Sequence, residues 1–133
     1  MKKLTREWVR KAEADHRAAI NLATSLARSH DQVCFFCQQS AEKYLKALLE
    51  ELGQIVPKTH DLVRLLNLLF PTHRSLRKHR RVMGTLTDFA VAARYPGKNT
   101  SKRQATAALG WVGNIRHDCR AILGLRTPKR KSP

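Results

Sequence analysis

Cys34, Cys37, Ala41, Leu45, Leu48 and Leu52 recur at the i, i+3, i+4, i+7 spacing of one helix face, while Gln39, Lys43, Lys46 and Glu50 line up on another. This period of 3.6 runs through most of the chain. It leaves no sustained alternating strand pattern, no Gly-rich phosphate loop and no internal repeat. The expectation is an all-α, up-and-down four-helix bundle with one additional short helix.

The 133 residues suit one domain with one core. A helical domain over 1–125 and a basic, disordered tail over 126–133, carrying Arg126, Lys129, Arg130 and Lys131, are expected. The first helix is read from Thr5, as its N-cap, to Arg28, with Trp8, Ala12, Asp15, Ala19, Leu22 and Leu26 inward. The carboxylate of Asp15 then lies among apolar neighbours and needs a cation from another helix. Asp31 is read as the cap of the second helix, which ends before Gly53. Thr59 or Asp61 caps a short helix through Leu69 and places His60 beside its N-terminus.

A fourth helix is read from Thr72. Arg74, Arg77, Lys78 and Arg81 fall within about 100° of arc on it, opposite Leu76, Met83, Leu86 and Ala90. These four cations form a ridge suited to a phosphate backbone, with no aromatic residue interleaved. Arg94-Tyr95-Pro96-Gly97 breaks the helical pattern and offers a fixed charge and a flat ring in a loop. Ser101 to Gln104 reads as a capping box for the last helix, whose inner stripe is Ala105, Ala108, Leu109, Val112, Ile115, Cys119 and Ile122.

The net charge is +16, and it is unevenly placed. Residues 1–61 hold ten Lys/Arg and eight Asp/Glu, whereas residues 62–133 hold sixteen against only Asp88 and Asp118. A polyanionic partner follows from such a field. No stretch reaches the roughly 18 apolar residues of a membrane span, and the start lacks a secretory apolar region. Three cysteines fit reduced, cytoplasmic usage, and Cys34-x-x-Cys37 lacks the second half of a zinc site, so neither metal nor cofactor is expected.

Trp8, Ala12 and Asp15, then Cys34-Phe35 with Gln38-Gln39-x-x-Glu42-Lys43-x-x-Lys46-Ala47-Leu48-Leu49, then Thr59-His60-Asp61-Leu62, and finally Arg94-Tyr95-Pro96 together resemble the HEPN domain family. Their order and spacing carry the resemblance. It implies a small HEPN protein of the kind encoded beside a minimal nucleotidyltransferase, binding nucleotide or nucleic acid (RNA ahead of DNA) or acting in a toxin-antitoxin pair, commonly as a homodimer. Lys43, Lys46, His60, Arg94 and Tyr95 are its candidate ligand contacts.

The resemblance also implies an alternative, because many members are metal-independent ribonucleases that join Arg and His of an Arg-x4-6-His motif across a homodimer. Arg74 to His79 and Arg10 to His16 fit that spacing. Fifteen Arg and six His yield roughly two such matches by chance, which is the number found. On a continuous helix the members of each pair point about 120° to 140° apart. His79 falls on the apolar side of its helix and is expected to be a buried structural histidine.

Overall fold

The computed structural model describes residues 1–25 and 29–126. Five α-helices follow in order: α1 (Lys3–Ala23), α2 (His30–Glu51), α3 (Leu62–Leu69), α4 (Arg80–Arg94) and α5 (Lys102–Ile122), with a 3₁₀ turn over Arg74–His79 ahead of α4. No strand occurs among the described residues. The four long helices form the bundle, and α3 and the 3₁₀ turn close one side of it.

The second helix is the axis of the molecule, and it packs against α1, α3, α4 and α5. Its expected apolar face is buried, with Cys34, Cys37, Ala41, Leu45 and Leu48 in the core, but burial extends further, to Gln38, Ser40, Glu42 and Lys46. Small residues let α1 approach closely: Ala12 and Ala19 are fully buried, and the Ser40 hydroxyl donates to the Ala12 carbonyl at 2.9 Å. A polar side chain there is tolerated because its hydrogen bond is made.

Several helix ends differ from expectation. Thr5 is not a cap. Helix α1 starts at Lys3, and the buried Thr5 hydroxyl donates to Glu51 Oε1 at 2.9 Å, alongside the Lys2 amide, tying the start of α1 to the end of α2. The first helix ends at Ala23, earlier than expected, and Leu26 to Arg28 lie outside the described residues. Asp31 sits in the first turn of α2, where its Oδ1 accepts from the Thr100 amide and hydroxyl at 2.7 and 2.6 Å. An acid that can reach a distant loop braces tertiary structure, and Ser29 takes the N-cap position.

Other ends follow the local chemistry. Gly53 adopts φ +73° just past α2, where only glycine is free of a Cβ clash. Asp61, rather than Thr59, caps α3 by accepting from the Val63 and Arg64 amides. Ser101 and Gln104 form the reciprocal capping box of α5. Ala105, Ala108, Val112, Ile115 and Cys119 are buried along α5.

The helix expected from Thr72 is instead the 3₁₀ turn and then α4. Leu76, Met83, Leu86 and Ala90 are still buried, but the cations ahead of His79 follow a repeat of three. Of the expected tail, Arg126 is held: its carbonyl accepts from Arg120 Nε and Nη2 at 3.2 and 2.6 Å. Lys129, Arg130 and Lys131 lie outside the described residues.

Candidate nucleic-acid interface

In a 3₁₀ helix residues three apart eclipse one another. Arg74 and Arg77 therefore stand over the same ring, their guanidinium carbons 5.8 and 5.7 Å from the centre of Phe70. Arg80, one step further, donates to Asn67 Oδ1 on α3. All three are exposed. Both guanidiniums lie within cation–π range of Phe70, and neither makes a side-chain hydrogen bond with the described residues, so their N–H groups can serve an anion while the ring contact is kept.

Lys78 breaks from this stripe. Its Nζ lies 3.2 Å from Asp118 Oδ2 on α5, and the same oxygen accepts from His79 Nε2 at 2.6 Å. His79 is buried, at 7% exposure. Burial alone works to raise the Asp118 pKa, but the hydrogen bond from His79 and the charge of Lys78 outweigh it and hold the carboxyl below its usual range. Arg74 and His79 thus face different neighbours. Arg81 is exposed beyond them.

A cavity of about 410 Å³ opens beside this pair, lined by Lys78, His79, Val82, Trp111, Asn114, His117 and Asp118. A second concavity of about 470 Å³, between α1, the end of α2 and the loop at Val56, holds Trp8, Lys11, Lys46 and Lys58.

The remaining candidate contacts are spread along α2. Lys43 is ion-paired with Asp15 on α1, which supplies the cation Asp15 needs. Lys46 is nearly buried, with its Nζ 3.1 Å from Glu42 Oε2 and 5.7 Å from the centre of the Trp8 ring. His60 shares that carboxylate: its Nδ1 lies 2.8 Å from Glu42 Oε1, while 62% of its side chain is exposed. Gln38 completes the cluster by donating to the His60 carbonyl at 2.8 Å, and Gln39 donates to Gln38 at 2.7 Å. The Gln-Gln-x-x-Glu segment therefore fixes the loop that carries His60.

Arg94 ends α4 with its guanidinium 5.3 Å from the centre of Phe35, and Tyr95 follows in extended backbone with 62% of its surface exposed. By helical spacing Phe35, Gln39, Glu42 and Lys46 form one stripe of α2. Arg94 and His60 thus border the same side of that helix, Lys46 joins His60 through Glu42, and Lys43 belongs to the α1 contact.

The thiols are buried and unreactive in character: burial raises Cys34, pushes Cys37 up to about 12, and raises Cys119. On α1, burial and the nearby Arg116 charge lower the His16 pKa. Among the described residues no group of three or more His, Cys, Asp or Glu is placed to hold a metal ion, and no helix is long and apolar enough to cross a membrane.

Phe70, Arg80, Trp111, Asn114, His117 and Asp118 were not among the residues expected at a site. A repeat of three read from Arg74 would have aligned Arg77 and Arg80; Asp118, an acid isolated in the basic half, was the other available signal.

No curated protein matches the chain. The crystal structure of TT1696 from Thermus thermophilus is similar, with a TM-score of 0.80 at 23% identity over 90% of this chain and 98% of that one, which shows a shared fold. The HEPN domain family matches residues 5–122. With the Gln-Gln-x-x-Glu cluster anchoring His60 on the central helix of such a bundle, the chain belongs to the HEPN domain family.

Proposed function

We propose that this HEPN domain is a binding module for nucleic acid or nucleotide, single-stranded RNA first, acting as a homodimer and as the non-catalytic partner of a minimal nucleotidyltransferase in a two-component, toxin-antitoxin-like system. The observation that carries the nucleic-acid part is the stripe of Arg74, Arg77 and Arg80. Among the described residues, seven ion pairs occupy Glu13, Asp15, Glu42 and Asp118, and none involves Arg64, Arg74, Arg77, Arg80 or Arg81. Guanidiniums left without a carboxylate among the described residues favour phosphate, with Arg94 and Tyr95 as contacts at the other end of α4.

Fluorescence anisotropy with a labelled single-stranded RNA tests this. Binding at low salt that weakens steeply as salt rises, and weakens again in Arg74→Ala with Arg77→Ala, is the expected outcome. The nucleotidyltransferase part rests on the family resemblance, and co-purification with nuclease present, at low and high salt, tests it separately.

The alternative, a metal-independent ribonuclease toxin using Arg74 and His79 across a homodimer, has less support. Arg74 lies on Phe70, and His79 is buried with its Nε2 committed to Asp118. Equal metal-free RNA cleavage by wild type and His79→Ala would remove that assignment.

A further inference from the structure

We infer that the cavity between the 3₁₀ turn, α4 and α5 receives one unstacked nucleobase, guanine in preference to the others, from a strand whose backbone lies along the arginine stripe. This deepens the nucleic-acid reading above and rests on it. The cavity, at about 410 Å³, falls within the range of roughly 300 to 1,000 Å³ usual for small-molecule sites. One wall is an aromatic ring. Trp111 is half-buried and braced by Phe89, with ring centres 5.9 Å apart and planes inclined by 28°. Single-stranded bases are commonly held on such rings.

The polar groups define which base. Both His79 Nε2 and Lys78 Nζ approach Oδ2 of Asp118, and Oδ1 makes no hydrogen bond with the described residues. His79 is nearly buried, and its 2.6 Å hydrogen bond fixes the carboxylate at the cavity wall. The charge of Lys78 and the His79 hydrogen bond keep the group ionised, hence acceptor-only.

Guanine presents N1–H and N2–H side by side: one donates to the free Oδ1, and the other takes the place on Oδ2 of Lys78, whose 3.2 Å contact is the longer and more exposed of the two there. Adenine and cytosine present one amino group beside a ring acceptor, and uracil presents one N–H between two carbonyls that a carboxylate repels. Asn114, exposed one helical turn before Asp118, has an amide that can donate to the guanine O6. Lys78, with 64% of its side chain exposed, lines the cavity and follows Arg77 in sequence, so it lies on the side from which the phosphate of the inserted nucleotide would come; the exposed His117 also lines the cavity.

The test uses the full chain and four labelled RNA octamers, all uracil or with a single central G, A or C, compared by anisotropy at one salt concentration. The G octamer is expected to bind about tenfold more tightly than the all-uracil one, with A and C between. In Asp118→Asn and in Asn114→Ala that ratio should fall to about one. The exposed Asn114 is the second variant because Asp118→Asn also removes an internal ion pair.

Equal binding of all four octamers by wild type overturns the base pocket and leaves the backbone reading standing. A G preference that survives both substitutions overturns the location. Failure of every octamer to bind overturns the backbone reading and the pocket together.

Discussion

Arg116 holds Glu13 by two parallel hydrogen bonds, Nε to Oε2 at 2.6 Å and Nη2 to Oε1 at 2.7 Å, joining α5 to α1 across 103 residues of sequence. The Tyr44 hydroxyl of α2 donates to Glu13 Oε2, and Arg120 lies 3.4 Å from Oε1. Three helices thus meet at one carboxylate. Burial opposes its ionisation, but hydrogen bonds from Arg116 and Tyr44 and the arginine charges lower its pKa from 4.5 to about 2.

A depressed carboxyl pKa adds stability that is fully present above the unfolded value and is lost as pH falls through the folded one. For Glu13 the loss falls between 4.5 and about 2 and amounts to about 2 to 3 kcal/mol. Urea unfolding at a series of pH values should show this acid dependence in wild type. Glu13→Gln should cost about 3 kcal/mol at pH 7 and remove that part of the pH slope; a slope identical to wild type would contradict the assignment.

Glu42 should be the energetically central member of the α2 polar cluster. It is nearly buried and serves Lys46, His60 and Gln38 at once. Glu42→Gln leaves Lys46 without its anion and is expected to cost about 3 kcal/mol. His60→Ala, at a mostly exposed ring, should cost under about 1 kcal/mol. Chemical denaturation of the two variants checks the order, and a His60 variant as damaged as the Glu42 one would make His60 a structural residue.

Two glycine substitutions should change stability in opposite directions. Gly53→Ala must hold φ +73° and puts its Cβ 3.3 Å from Lys2 Nζ, so a loss of about 1 kcal/mol or more is expected. Gly113 lies inside α5, where an added Cβ meets nothing within 4 Å, so Gly113→Ala should gain about 0.5 to 1 kcal/mol. Thermal melts of both decide it. Destabilisation by Gly113→Ala would mean that the open face of α5 is not open in solution.

The bundle was legible because α2, α3 and α5 repeat apolar residues with the helical period, and because Asp61, Gly53, Ser101 and Gln104 mark ends by local chemistry alone. Thr5 and Asp31 misled for one reason. A residue that can cap can equally reach another segment, and only the tertiary structure places Glu51 and Thr100 within reach. The apolar stripe of α2 concealed its burial on further sides, since buried Gln38, Glu42 and Lys46 satisfy one another and look in sequence like a solvated face.

The candidate site was legible in part. Net charge located the basic half, and the Gln-Gln-x-x-Glu and Thr-His-Asp segments meet at His60. The ridge was read at 3.6 residues per turn, but the 3₁₀ turn at Arg74–His79 obeys a period of three. That change sets Arg74, Arg77 and Arg80 in line over Phe70 and Asn67, and turns Lys78 toward Asp118. Phe70 escaped notice because it precedes the cations and reaches them only through the turn between Leu69 and Arg74.

The proposed RNA contact rests on the arginine stripe, and the salt dependence of single-stranded RNA binding reads that contact out. A single strand releases about 0.7 counterion for each phosphate neutralised. A plot of log affinity against log salt should therefore lose about two units of slope when Arg74, Arg77 and Arg80 are all changed to Ala, with helical content unchanged by circular dichroism. No binding by wild type at low salt, or a slope the same in the triple variant, would contradict the claim that this stripe holds a phosphate backbone.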